Sequence, residues 1–170
     1  SGGVGLAGFA ASAPEVTDEQ VAAVANSVTP DALSDILFTS GTTGAPKGVM
    51  TEHAQNLRSF SAWASVVGLR DGDRYLIVNP FFHAFGYKAG ILAALMMGAQ
   101  IHPHAVFDVP QVMDRVAAER ITMLPGPPTL SQTILNHPEF ERFDLSSLRL
   151  AVTGAAAIPV ELILSMRARL

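Results

Sequence analysis

Apolar positions along the chain change period several times, and each change marks an element. Thr17-Asp18-Glu19-Gln20 has the Thr-x-x-Gln form of a capping box, and Val21 and Val24 follow at helical spacing, so a short helix begins there. Pro30-Asp31 ends that segment, and Leu33–Thr39, with Leu33, Ile36, Leu37 and Phe38, reads as a buried strand. A Gly/Thr loop, Ser40–Gly48, separates it from a short extended piece at Val49–Thr51. Leu57, Phe60, Trp63, Ala64 and Val67 then recur on one helical face, which predicts an amphipathic helix from about His53 to Val67 with Gly68 as its stop.

Beyond it, Tyr75–Val78 reads as a strand leading into the loop Asn79–Gly86. Ala89–Met97 is apolar all round, as a buried helix is, and Gly98 ends it. Gln100–His104 is a strand, and Val109–Glu119 a helix with Val112, Met113 and Val116 inward. Ile121–Leu124 is another strand, and Pro127–Leu135 a helix with Pro at its start. Leu148–Thr153 is a strand running into Gly154-Ala155-Ala156, and a last helix from Pro159 shows Val160, Ile163 and Leu164 at helical spacing. The Gly/Ala-rich residues 1–12 predict an irregular lead-in. Strands alternating with helices predict an α/β fold, a mainly parallel sheet joined by right-handed βαβ units with helices on both faces. Ligands of such sheets bind beyond the carboxyl ends of the strands, where three of these loops fall.

Composition narrows the classes. The chain has 170 residues, enough for one domain or a large part of one, and its 49% hydrophobic and 15% charged residues argue for a buried core and against wholesale disorder. A net charge of −4 without a local Lys/Arg cluster gives no electrostatic footprint for nucleic acid. The absence of cysteine excludes disulfides and thiolate metal sites and is compatible with a reducing cytoplasm. No run approaches the ~20 apolar residues that span a bilayer, while peripheral contact with a membrane stays open. The opening Ser1–Phe9 lacks both an initiator Met and the positive start of a secretory signal, and the last helix stops without a capping Gly or Asn. Both ends are therefore expected to continue in a longer polypeptide.

The most informative stretch is Phe38-Thr39-Ser40-Gly41-Thr42-Thr43-Gly44-Ala45-Pro46-Lys47-Gly48. Its glycines let backbone approach an anion, Ser40, Thr42 and Thr43 supply hydroxyl donors, and Lys47 adds positive charge: the parts of a phosphate cradle after a strand. A solvated turn has a similar composition. The order is not that of G-x-x-x-x-G-K-[ST], because Pro46 stands at the second glycine and Lys47 precedes Gly48. His83 sits among Phe81, Phe82, Phe85 and Tyr87, where a packed core histidine and a ligand-facing one are both open readings. His102 and His104, two apart on a strand, face the same way. No third metal ligand is evident beside them, so no metal site is assigned. No G-x-S-x-G elbow supports a serine hydrolase.

The order T-S-G-T-T-G-x-P-K-G resembles the core signature of the adenylate-forming superfamily of acyl-CoA synthetases, luciferases and peptide-synthetase adenylation domains. Asn79-Pro80-Phe81-Phe82-His83-Ala84-Phe85-Gly86 is similar to that family's P-x-F-H-x-x-G segment, and Leu124-Pro125-Gly126-Pro127-Pro128-Thr129 to its acyl-pocket wall. Thr153-Gly154-Ala155-Ala156 resembles its G-A-A-P stretch between acyl pocket and adenine, with Ala157 in place of the usual proline. The resemblance runs from about Asp31 to Leu170. It implies that 31–170 is an internal part of the large AMP-binding N-terminal domain, with 1–30 leading in. Asn79-Pro80-Phe81-Phe82-His83 with Gly86-Tyr87-Lys88-Ala89-Gly90, then Leu124-Pro125-Gly126-Pro127-Pro128, resembles bacterial fatty-acyl-CoA synthetases, especially those that activate the propionate side chain of steroid-ring remnants.

The resemblance implies a ligase that couples a carboxylic acid to CoA through an acyl-adenylate, with ATP, Mg²⁺ and CoA as cofactors and a cytoplasmic location. It implies that Thr39, Ser40, Gly41, Thr42, Thr43, Gly44 and Lys47 hold the ATP phosphates, and that Gly154, Ala155 and Ala156 lie beside the nucleotide. Thr43, Lys47 and His83 would be catalytic. His83, Phe85, Tyr87, Ala89, Gly126 and Gly154 would border the acyl substrate. Lys47 could equally pin its loop to a neighbouring carboxylate. The family's later motifs, which supply the Mg²⁺ ligand, the ribose-binding Asp and the C-terminal lysine, are absent from the chain, so the 170 residues are expected to be inactive alone. Two alternatives remain: a relative that loads a carrier protein, and a nucleotide-binding module without catalysis.

Overall fold

Tyr75 and Leu76 are adjacent in sequence and belong to different cores. They lie on β3 (Arg74–Ile77), where successive side chains leave opposite faces of the sheet. Tyr75 and Ile77 join Met123, Ala64, Ala93 and Ala94 on one face, and Leu76 joins Val112, Met113, Val116, Leu130 and Ile134 on the other. The structure, a computed structural model, describes residues 5–11, 16–39, 44–154 and 156–170.

β3 pairs in parallel with β4 (Gln100–Pro103), Arg74 opposite Gln100 and Ile77 opposite Pro103. On its other side parallel bridges run from Tyr75 to Met123 and from Met123 to Leu150, with a further one from Gly126 to Thr153. The strands expected at 121–124 and 148–153 are therefore present as isolated bridges and not as continuous ladders. The cause lies in the backbone: Thr122 and Met123 both donate to the Arg74 carbonyl, and Arg149 and Leu150 both donate to that of Thr122. Two successive N–H groups on one acceptor interrupt a ladder in the manner of a bulge. At the amino ends of these segments the buried Asp73 carboxylate accepts hydrogen bonds from Thr122 Oγ1 at 2.8 Å and the Arg70 N–H at 2.9 Å, and pairs with Arg149.

Helices cover both faces, as predicted. α3 (His53–Val67) and α4 (Ala93–Met97) lie on the Tyr75 face. α5 (Val109–Glu119), α6 (Pro128–Leu135) and α7 (Val160–Arg169) lie on the Leu76 face. Gly68 and Gly98 close α3 and α4 with φ of 77° and 72°, the left-handed geometry expected of helix-terminal glycines. α7 turns Leu162 and Met166 inward and leaves Val160 and Leu164 exposed, so the expected apolar stripe is corrected. Apolar residues surround that helix, and packing against α6, not periodicity, selects the face.

At the other end of the chain, α1 (Leu6–Ala11) is helical where an irregular lead-in was expected, consistent with its Leu and Ala content. α2 (Asp18–Ser27) has the predicted capping box: Gln20 N–H donates to Thr17 Oγ1 and Thr17 N–H to Gln20 Oε1. β1 (Leu33–Thr39) and β2 (Lys47–Glu52) form an antiparallel hairpin apart from the parallel sheet, with Phe38 opposite Gly48. β1 is not the buried strand its composition suggested, since Phe38 is 74% exposed. A two-stranded ribbon has no second layer to bury it, and it is tied down near its base, where His53 N–H donates to Ala32 O, Ala54 N–H to Pro30 O, and Asp35 and Thr51 meet Asn56 of α3.

Candidate active site

The hairpin determines where the phosphate-cradle sequence sits. Thr39 stands opposite Lys47, and its hydroxyl donates to the Lys47 carbonyl at 3.5 Å, so residues 40–46 connect the two strands at the hairpin's free end. Ser40, Gly41, Thr42 and Thr43 lie outside the described residues. Gly44 has φ of 147° with open space where a Cβ would point, so backbone geometry and not crowding favours glycine there. Lys47 is exposed and makes no ion pair among the described residues. The pinned alternative therefore finds no carboxylate in this set.

The second group assembles beyond the carboxyl ends of the parallel segments. A cavity of about 300 Å³ is lined by Trp63, His83, Phe85, Gly126, Pro127, Val152, Thr153 and Gly154. Four residues chosen from sequence, His83, Phe85, Gly126 and Gly154, thus meet in one place from three different loops. The loop after β3 folds back sharply to put His83 and Phe85 there. A Cβ on Gly86 would fall 2.2 Å from the Pro80 carbonyl oxygen and 2.6 Å from that of Asn79, so no other residue fits. From Phe85 to Leu92 the chain forms a π-helix, which runs into α4. Such helices are rare and concentrate at functional sites.

His83 is oriented by its own loop. Its Nδ1 accepts the Phe85 backbone N–H at 3.1 Å, its N–H donates to Pro80 O at 3.0 Å, and its carbonyl accepts from Tyr87 N–H at 3.0 Å. With Nδ1 used as an acceptor, the proton of the neutral ring belongs on Nε2, which leaves that N–H to donate to a ligand. Trp63 meets Phe85 edge to face, with ring centroids 5.8 Å apart at 85°, and builds an apolar wall. A Cβ on Gly154 would meet nothing within 4 Å, whereas one on Gly126 would press on Leu130 at 3.2 Å. Gly154 therefore widens the cavity, and Gly126 serves the packing behind it. Tyr87, half-buried, and Ala89, buried, are not among the lining residues, and the Ala89 carbonyl accepts the Tyr75 hydroxyl at 3.2 Å. Ala156 is exposed just past the cavity, and Ala155 lies outside the described residues.

Sequence reasoning did not select Trp63, Thr153 or Lys88 as functional. Trp63 was legible only as part of a helical stripe. The buried Thr153 Oγ1 has no hydrogen-bond partner among the described residues, and Thr153 lines the cavity. Lys88, between apolar residues, is buried with Asp35, Thr51 and Asn56. His102 and His104 are drawn into a pairing cluster: His102 Nδ1 lies 2.5 Å from Glu119 Oε2, and Arg115 contacts both Glu119 and His104. Arg115 beside it, outweighing partial burial and aided by His102, holds the Glu119 carboxyl down at about 2. A larger concavity, about 400 Å³, opens beyond the ends of β3 and β4 beside His104 and the exposed Phe82. It contains none of the residues chosen for chemistry, so the cavity at His83 is the better candidate.

An α/β domain with helices on both faces and a pocket beyond the strand ends defines a ligand-binding class of fold, and the chain belongs to the AMP-binding enzyme family, whose model matches residues 6–170. Over 162 residues it is 53% identical to a 3-[(3aS,4S,7aS)-7a-methyl-1,5-dioxo-octahydro-1H-inden-4-yl]propanoyl:CoA ligase of Rhodococcus jostii (strain RHA1), covering 95% of this chain and 32% of that protein. The anthranilate CoA ligase AuaEII, solved in complex with anthranoyl-AMP, superposes with a TM-score of 0.74 at 27% identity over 82% of this chain and 28% of that one. The O-succinylbenzoate coenzyme A synthetase MenE from Bacillus subtilis, in complex with AMP, gives 0.72 at 28% identity over 84% of this chain and 29% of that one. The chain spans about a third of the length of the curated relatives it matches.

Proposed function

We propose that a full-length polypeptide carrying this chain is an AMP-forming acyl-CoA synthetase whose acid is a fatty acid or, more narrowly, a propionate borne on a steroid-ring remnant. The observation that carries this reading is the convergence of His83, Phe85, Gly126 and Gly154 on one mostly apolar cavity beyond the parallel strands. The acid's carboxylate attacks the α-phosphorus of ATP and pyrophosphate leaves. The thiol of CoA then attacks the acyl carbon and AMP leaves. Two anions meet in the first step, so the protein's task is charge neutralisation and alignment, not nucleophilic attack by a side chain.

In this reading Thr39, Ser40, Gly41, Thr42, Thr43 and Gly44 bind the β- and γ-phosphates, and Lys47 adds positive charge. The Nε2–H of His83 donates to an oxygen of the carboxylate or the α-phosphate. It is not a general base, because a carboxylic acid is already ionised at neutral pH. Trp63 and Phe85 form an apolar wall of the acyl site, Gly154 leaves it room, and Tyr87 and Ala89 hold the π-helix behind that wall. Ala155 and Ala156 lie toward the adenine. None of the residues lining the cavity is Asp or Glu. They do not make a Mg²⁺ site, and the protein ligand of the ATP-bound ion belongs elsewhere in the full-length chain. No helix among the described residues is long and apolar enough to cross a membrane. A cytoplasmic location belongs to the reading because ATP and CoA are supplied there.

The test is acid-dependent ATP–pyrophosphate exchange on the full-length polypeptide, with medium-chain, long-chain, aryl and steroid-ring propionic acids. Exchange that requires an acid, followed by acyl-CoA when CoA is added, supports the synthetase. Acyl-adenylate that reaches a carrier protein's phosphopantetheine but not CoA makes the protein a carrier-loading relative. A protein that binds ATP and exchanges with no acid is a binding module. Thr43→Ala should lower exchange by about 100-fold, the scale of losing one transition-state donor. The 170 residues by themselves should give no acid-dependent AMP.

A further inference from the structure

Lys88 is 4% exposed, and its ammonium is saturated. Nζ lies 2.9 Å from Asp35 Oδ1, 2.9 Å from Thr51 Oγ1 and 2.8 Å from Asn56 Oδ1, one partner for each of its three N–H bonds. The partners also bind one another: the Thr51 hydroxyl donates to Asp35 Oδ1 at 2.9 Å, and Asn56 Nδ2 donates to Asp35 Oδ2 at 2.8 Å. Burial disfavours the Asp35 charge, but the hydrogen bonds from Lys88, Thr51 and Asn56, with the Lys88 charge, hold the carboxyl below its ordinary value.

The four residues come from four elements. Asp35 is on β1, Thr51 on β2, Asn56 on α3 and Lys88 on the π-helix that begins with Phe85. Asp35 and Thr51 each sit four residues from the hairpin's end pair, Thr39 and Lys47, about 13 Å at the usual strand rise. Lys88 sits five residues beyond His83. The hairpin is otherwise poorly anchored, since Phe38 and Met50 are exposed and only its base meets α3. A buried ion pair of this kind adds little net stability over apolar packing of the same shape. What it adds is geometry, because directional bonds admit one arrangement where apolar contact admits several.

We infer that Lys88 is a positioning residue: it locks the hairpin that ends in the phosphate loop to the helix that carries His83 and Phe85, and so sets ATP against the acyl site. The inference rests on the synthetase reading for its catalytic consequence and on the geometry alone for its structural one. Misalignment of about 1 Å costs on the order of 100-fold in rate. Lys88→Met in the full-length polypeptide should therefore lower kcat for acid-dependent pyrophosphate exchange by about 100-fold. The dissociation constants for ATP and acid, measured by titration, should stay within about threefold, since neither ligand touches Lys88. The double variant Asp35→Asn/Lys88→Met removes both charges and should regain the unfolding temperature lost in the single variant, yet remain slow. A double variant that regains both temperature and rate overturns the inference, because the pair would then be structural only.

Hydrogen–deuterium exchange separates this from the synthetase reading. In Lys88→Met, amides of 36–39 and 47–50 should exchange faster while those of 111–116 in α5 keep their protection. If the unsubstituted protein shows no pyrophosphate exchange with any acid, the synthetase reading fails and the amide pattern alone decides about Lys88. Unchanged hairpin protection in Lys88→Met overturns the coupling.

Discussion

In the parallel sheet Tyr75, Leu76 and Met123 are sealed between helices. In the hairpin Leu33, Ile36, Phe38 and Met50, residues of the same kind, face solvent. The sheet is held by apolar packing on both faces. The hairpin is held by its own ladder, by the start of α3 and by the buried Lys88–Asp35 pair. The contrast matches the work each region does in the proposed reaction. A pocket for an apolar acid needs walls that do not move, which dense packing supplies. A loop that must close around a triphosphate and release pyrophosphate needs a support with less buried surface, held in direction by a few polar contacts.

The comparison can be broken at several points. The largest effect belongs to the sheet: Leu76→Ala should lower unfolding free energy by about 2–5 kcal/mol in denaturant titration, because a sealed site cannot collapse around the lost atoms. Next comes His83→Ala, which should cut acid-dependent exchange by about 100-fold. It should leave the unfolding temperature nearly unchanged, as the side chain is exposed. Equal loss of both would make His83 a packing residue. Gly86→Ala should cost about 1–3 kcal/mol, because its Cβ would drive into the Pro80 and Asn79 carbonyls.

Acid should weaken the cluster in which Glu119 pairs with Arg115 and His102. The Glu119 carboxyl titrates at about 2 in the folded chain against 4.5 for the unperturbed group, so the folded state favours its ionised form. That contribution is complete above 4.5 and fades as pH falls toward 2. Glu119→Gln should flatten this part of a stability–pH curve, and an unaltered curve would remove Glu119 from the account. The smallest effect is expected in the hairpin: Phe38→Ala should change unfolding free energy by less than about 0.5 kcal/mol, as surface substitutions do. A loss near that of Leu76→Ala would mean that the full-length protein buries the hairpin.

Much of this was legible from residue order alone. α3 and α5 begin and end where their apolar stripes and stops put them, and Val112, Met113 and Val116 point inward as their spacing requires. Gly86 was visible as the last residue of the P-x-F-H-x-x-G segment, and the backbone clash supplies a physical reason for a glycine there. The misses have physical causes as well. Thr39, Gly44 and Lys47 stood out in the Gly/Thr stretch, but not as parts of an exposed antiparallel hairpin and its connection, because apolar content does not say whether a second layer exists. Lys88 stood in an apolar stretch as a single charge whose partners lie 32 to 53 positions away in sequence at Asn56 and Asp35, beyond the reach of any periodicity.

By itself, then, the sequence determined most of the local elements and the family, because capping, periodicity and short motifs depend on neighbours within a few residues. The tertiary structure alone decided that Trp63 and Thr153 border the cavity with His83, that α7 turns Leu162 and Met166 inward, and that Lys88 is buried against Asp35. Those outcomes depend on which surfaces meet across long stretches of chain. That choice is made by the packing of whole helices on a twisted sheet, which no local stretch of residues encodes.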